Sequence, residues 1–192
     1  MANCFDNIRV ENVNHCPNDE ITAGLSTKLN YAPEPDVETL TLPTITDALS
    51  YEERITISNT GLVTKTGKGF KQIDILVDEN ELTASFVGNK GNKKMKTDLD
   101  AFILGFKGKV IGFLQTHKNT PLILNIKDSA GQGWVIGDKI NPAFIDTAEV
   151  KTGKKFDDNS GATIKITSNS PIRMYNGPIT ITPDTTTPPS GS

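Results

Sequence analysis

Short apolar–polar alternations, five to eight residues long and fenced by turn residues, recur along this chain and constrain its fold more than any other feature. Val37-Glu-Thr-Leu-Thr-Leu42, Arg54-Ile-Thr-Ile-Ser58 and Leu82-Thr-Ala-Ser-Phe86 alternate residue by residue. That is the period of a strand with one face buried. Phe70-Lys-Gln-Ile-Asp-Ile-Leu-Val77 is denser and reads as a more buried strand. With residues 82–87, across the acidic turn Asp78–Glu81, it predicts a hairpin. Pro121–Ile126, the turn Asp128–Gly131 and Trp134–Ile136 predict a second one. Ala162–Thr167 and Pro178–Thr182 predict closing strands that lie side by side. Thr, Asn, Gly and Pro, at 23, 16, 16 and 11 residues, supply 66 of the 192, a composition for strands and turns and not for a helical bundle.

One stretch reads as a helix. Thr97-Asp-Leu-Asp100 has the form of a capping box with Asp in place of Glu. Leu99, Phe102, Ile103, Phe106, Val110, Phe113 and Leu114 then recur every three or four residues. This predicts one amphipathic helix over about 98–117, even though Gly105, Gly108 and Gly112 each weaken it by up to ~1 kcal/mol relative to Ala. The expected fold class is mainly β (α+β): an antiparallel β-sandwich or barrel flanked by that helix, with extended N- and C-terminal arms. The expected layout is an arm over 1–36, the β domain over 37–182 and a disordered tail over 183–192, where Thr, Pro, Ser and Gly dominate.

Charge is unevenly spread. Residues 1–60 hold 3 Lys/Arg and 10 Asp/Glu (−7), residues 61–120 hold 10 and 6 (+4), and residues 121–192 hold 7 and 7 (0), which sum to the net −3. An acidic first third and a basic middle suit two faces of a self-associating subunit, or simply solvated surface. The acidic total argues against a protein that grips nucleic acid by its backbone. No run of 18 apolar residues exists to span a membrane, and the first twenty residues have neither the basic nor the apolar part of a secretory signal. The expected setting is a cytoplasmically made protein with reduced thiols.

Chemical motifs are weak. Gly61-Leu-Val-Thr-Lys-Thr-Gly67-Lys68-Gly69 has five residues where a phosphate-binding loop has four, and Gly69 stands where Ser or Thr is needed. Cys4, His15 and Cys16 are soft ligands without the spacing of a zinc site. A Cys4–Cys16 disulfide stays open, because nothing fixes their separation. Asp157-Asp-Asn-Ser-Gly161 begins like a calcium loop, but its Gly is a position early and Ser168 stands where the bidentate Glu belongs. A hairpin turn before 162–167 is the better reading. Two histidines, His15 and His117, support no catalytic triad. Trp134, the sole tryptophan, reads as core packing in a strand. No catalytic, cofactor-binding or metal residue is assigned, and no enzyme activity is expected.

The stretch from Thr97 to Ile181 resembles the tail tube and tube-like virion proteins of tailed bacteriophages. The resemblance lies in order and spacing: the capped segment, Lys118–Asp128 followed by Gly131 and Gly137, then Thr152-Gly153, Asp157-Asp-Asn-Ser-Gly161 leading into Ala162–Ile166, and finally Pro171 and Tyr175-Asn-Gly177. It covers a little under half the chain. It implies a non-enzymatic virion subunit that forms rings, commonly hexameric, stacked into a tube through which DNA passes without sequence recognition. It implies assembly in the bacterial host cytoplasm, a place in the virion tail, contacts with other virion proteins, and no cofactor. A head–tail connector or capsid-associated protein is the alternative within the same class. An extracellular β-sandwich binding module is the alternative outside it.

Overall fold

The computed structural model describes residues 9–13, 22–44 and 49–184. Cys4, His15, Cys16 and residues 185–192 lie outside the described residues. The strands are β1 (Leu25–Pro33), β2 (Val37–Leu40), β3 (Leu62–Thr64), β4 (Lys71–Asp74), β5 (Glu81–Val87) and β6 (Lys94–Leu104). Helix α1 (Gly108–His117) follows, then β7 (Leu122–Asp128), β8 (Gly133–Ile136), β9 (Phe144–Lys151), β10 (Gly161–Ser168) and β11 (Arg173–Met174). They form a five-stranded sheet ordered β11-β8-β7-β1-β4, a four-stranded sheet ordered β5-β6-β10-β9 and a two-stranded sheet β2-β3. All strand pairs are antiparallel. Among the described residues the fold is mainly β with one α-helix, and no sheet closes into a barrel.

The two larger sheets share one buried cluster. Leu29, Leu124, Ile126 and Ile136 contribute from the first, and Leu99, Ala101, Ile103, Ala162, Ile164 and Ile166 from the second. Leu114 adds the helix. Burying each Leu or Ile contributes roughly 1.5–3 kcal/mol. A second cluster lies on the other face of the five-stranded sheet, where Ala32, Ile123 and Val135 meet Val37, Ile57, Leu62, Phe70 and Tyr175. Leu122–Ile126 of β7 is therefore buried on both faces. Asn125 in its midst is satisfied: its amide nitrogen donates to Trp134 O (3.3 Å), and its oxygen accepts from Asn30 Nδ2 (3.1 Å), whose own oxygen accepts from Gln72 Nε2 (3.0 Å).

Three expectations hold. β7 and β8 pair as the predicted hairpin, β10 is the predicted strand, and β2 occupies most of 37–42. Others are corrected. The helix predicted over 98–117 is only Gly108–His117, because residues 97–104 belong to β6. Thr97, Leu99, Ala101 and Ile103 are buried in alternation with Asp98, Asp100 and Phe102, so the period is two. Leu99 and Ile103, or Phe102 and Phe106, satisfy a helical spacing by coincidence. Gly105, at φ +98, turns the chain out of the strand. The reciprocal capping box sits instead at Ser50–Glu53. There the Ser50 hydroxyl accepts from Glu53 N (3.2 Å), and Glu53 Oε2 accepts from Ser50 N and Oγ (both 2.8 Å). That turn replaces the strand expected over 54–58, which keeps only a bridge between Thr56 and Met174.

The hairpin expected from 70–77 and 82–87 does not form. β4 pairs with β1 and β5 pairs with β6, so the turn between them crosses from one sheet to the other. Asn80 fixes the crossing, accepting from Phe102 N (3.0 Å) and donating to Leu76 O. Residues 178–182 do not neighbour β10, whose two edges are taken by β6 and β9; Ile181 makes a parallel bridge to Phe70 instead. The arm expected over 1–36 does not extend over its last part. Leu25–Pro33 is an interior strand with Leu29 and Ala32 fully buried.

Candidate functional site

The motif residues weighed from the sequence are each absorbed by local structure. Gly61–Gly69 is β3 and the turn after it; Gly67 takes φ +75, Lys68 Nζ lies 3.4 Å from Asp36, and no helix follows to orient N–H groups at a phosphate. Asp157–Ser160 lies in the connection between the antiparallel neighbours β9 and β10, and Gly161 opens β10. Asp158 Oδ2 accepts from Lys154 N (2.8 Å) and Lys155 N (2.9 Å), and these bonds hold its carboxyl below the usual carboxylate range. Among the described residues no group of three or more His, Cys, Asp and Glu is placed to hold a metal, and no helix is long and apolar enough to cross a membrane.

His117 packs edge-on to Tyr31 (ring centroids 5.4 Å apart) and against Phe113 (5.0 Å). Burial lowers its pKa, and its buried Nδ1 has no hydrogen-bond partner. Trp134 is half-buried against the main core and donates from Nε1 to Asp128 Oδ2 (2.9 Å). Asp128 Oδ1 meanwhile accepts from Gln132 N (2.9 Å), so this carboxylate closes the β7–β8 turn.

The surface left unexplained belongs to the four-stranded sheet. Its inner residues enter the shared core. Its outer face follows from the register: Glu81, Asp100, Lys165 and Thr147 lie in one row across it, and Thr83, Asp98, Thr167 and Phe144 in the next. Acids and bases are interspersed there, with Lys96 Nζ 3.0 Å from Asp98 and Lys151 Nζ 2.8 Å from Glu149. Among the described residues, both lateral strands lack a further strand neighbour. β5 exposes Phe86 (67%) and Val87 (44%), and β9 exposes Phe144 (42%). Beside β5, on the inner side of the sheet, runs an open cleft of about 420 Å³ whose apolar walls are Leu25, Leu82, Ala84, Trp134 and Ile172.

The other sheet is treated differently. The edge beside β4 is covered at Phe70 by the final described segment: Phe70 N donates to Thr180 O (2.8 Å), and Thr182 N donates to Phe70 O (2.9 Å). Lys71 Nζ donates to Thr182 O (2.9 Å) and Pro183 O (2.8 Å). Asp184 pairs with Lys109 (2.9 Å) and Lys71 (3.5 Å); these cations lower its pKa, and it raises that of Lys109.

Sequence reasoning missed β9 entirely. The bulge at Asp146 breaks its alternation, since Lys165 pairs with Thr147 and Ile166 with Ile145. The signal available was Phe144-Ile-Asp-Thr-Ala-Glu-Val-Lys151, two short alternating pieces joined at that residue. Comparison with protein-family models, with curated proteins and with solved structures finds no match.

Proposed function

We propose that this chain is a non-enzymatic, self-assembling virion subunit, a tail tube protein whose rings stack into a channel for DNA. The observation that supports it most is the four-stranded antiparallel sheet, whose two lateral strands have no further strand neighbour among the described residues and whose outer face is polar. A monomer gains nothing from leaving two long edges and their aromatic residues in water, since such edges invite pairing with other chains. Repeated head to tail, two different edges make a heterologous contact, which closes into a ring. In this reading the two larger sheets are the layers of a β-sandwich flanked by α1. The outer face, with Thr and both signs of charge, lines the passage. A lining without a continuous basic stripe lets DNA slide without holding its phosphates. The interspersed charges of that face fit this requirement.

The test is electron microscopy of the purified full chain with sedimentation velocity across concentration. Rings or tubes are expected. Rings that never stack would move the assignment to a head–tail connector, and a monomer at every concentration would overturn it.

A further inference from the structure

Resting on that self-assembling reading, we infer that the subunits join by pairing β9 of one copy with β5 of the next, in one defined register. The strand order supplies the direction. Four strands alternate in sense across β5-β6-β10-β9, so β5 and β9 of one copy run oppositely. In a ring every β5 points the same way around the axis, so β9 meets the neighbour's β5 antiparallel, and the sheet continues without a break in pattern.

Side chains select the register. With Glu81 opposite Lys151 of the neighbouring copy, opposite charges face each other on the outer side. Leu82 then meets Val150, Thr83 meets Glu149, Ala84 meets Ala148, and Ser85 meets Thr147. Past the Asp146 bulge, Phe86 meets Ile145 and Val87 meets Phe144. Both the inner–outer alternation of β5 and that of β9 are preserved along this alignment. The exposed large apolar residues of the two edges, Phe86, Val87 and Phe144, all find apolar partners. Shifting by two residues one way places Glu81 against Glu149, the other way places Ser85 against Glu149 and removes the Glu81–Lys151 pair, and either shift separates Val87 from Phe144. The incoming Val150 and Ala148 extend the inner face over the cleft walled by Leu82, Ala84 and Trp134. The salt bridge that Lys151 makes to Glu149 within one copy is about two-thirds exposed and is readily exchanged for the Glu81 contact.

The experiment uses the full chain, with particle mass followed by sedimentation velocity and the sole tryptophan followed by fluorescence. Glu81→Lys and Lys151→Glu each place like charges at the junction and are expected to weaken each junction about fivefold. The double variant is expected to restore assembly. Phe86→Asp, at a mostly exposed position, is expected to leave a folded monomer. Assembly should shift Trp134 emission to the blue as the cleft is covered. If the single variants and Phe86→Asp assemble like wild type, or the double variant fares no better than the singles, the register is overturned while rings leave the tube reading standing. A wild-type chain that stays monomeric overturns both.

Discussion

Gly133 has a reason to be glycine that no turn propensity reveals: a Cβ there would lie 2.0 Å from the Tyr175 carbonyl oxygen. That oxygen belongs to backbone held in place, since Tyr175 N donates to Gly133 O (2.8 Å) and the single proton of the Tyr175 hydroxyl lies between Asn59 O (3.2 Å) and Pro178 O (3.1 Å), donating to one or the other. Gly133→Ala is therefore expected to destabilise the fold by about 2–3 kcal/mol, measured by chemical denaturation. Gly131→Ala, with open space around its Cβ but φ +85, should cost only ~1 kcal/mol. His117 offers a test with pH. Its folded pKa lies below the unfolded one, so the unfolded chain binds the extra proton first. The stability it contributes is present above about pH 6.5 and is lost as pH falls from there through the folded pKa. His117→Phe should flatten that part of the pH–stability curve and remove the unpartnered Nδ1. An unchanged slope would show that the His117 pKa is the same in the folded and unfolded chains, and that burial does not hold the ring neutral. At this scale the sequence was legible where a motif failed on spacing, as at Gly61–Gly69. It was silent on Gly133, because that constraint comes from residues more than forty positions away.

Elements were legible where one period had no rival. β7 is an apolar run broken only by Asn125 before Lys127-Asp128, and β10 alternates cleanly; both appear as expected. β6 was misread because Leu99, Phe102, Ile103 and Phe106 fit a helical stripe, while the decisive fact, burial of Thr97 against Ser170, is tertiary (Thr97 Oγ1 donates to Ser170 O, 2.9 Å). β1 was taken for an arm because Lys28, Asn30 and Pro33 dilute its apolar content; its value lies in the position between β7 and β4. The terminal segment 178–184 is the element whose role sequence alone least betrays. It rests on bare Gly69, where a Cβ would meet Thr182 Oγ1 at 2.2 Å and Thr180 O at 2.8 Å. Gly69→Val should push this segment off the Phe70 edge, lower stability by about 1–3 kcal/mol and open residues 178–184 to limited proteolysis. Asp184→Asn, which loses only exposed ion pairs with Lys71 and Lys109, should change stability by less than ~1 kcal/mol. Equal effects from the two variants would mean that charge, and not strand pairing, holds the segment.

For the whole molecule, two kinds of surface imply two responses to salt. The lateral edges of the four-stranded sheet carry apolar residues, Phe86, Val87 and Phe144, with one pair of opposite charges at the inferred junction. Contacts of that kind survive screening, since added salt does not weaken apolar burial. The chain-wide imbalance is different: −7 over residues 1–60 and +4 over residues 61–120. Its basic part includes Lys90, Lys93 and Lys94 at the tip between β5 and β6, and its acidic part includes Glu52 and Glu53 in the turn after Ser50, all exposed. In the proposed assembly, attraction between such surfaces on separate rings falls as the screening length shrinks from about 10 Å at 0.1 M salt to about 3 Å at 1 M. Stacking and ring closure should therefore separate along a salt series. Tubes are expected to shorten and release rings as NaCl rises from about 0.1 M to 1 M, while the rings keep their mass in sedimentation. The reverse order, rings falling to monomers while stacks of the remaining rings persist, would place the charge-driven contact within the ring and the apolar one between rings. Composition already pointed this way, because a chain with only 35% hydrophobic residues fills two interior clusters and still leaves aromatic side chains on its edges. Which edges they occupy was not readable until β9 and β5 were seen to bound the same sheet.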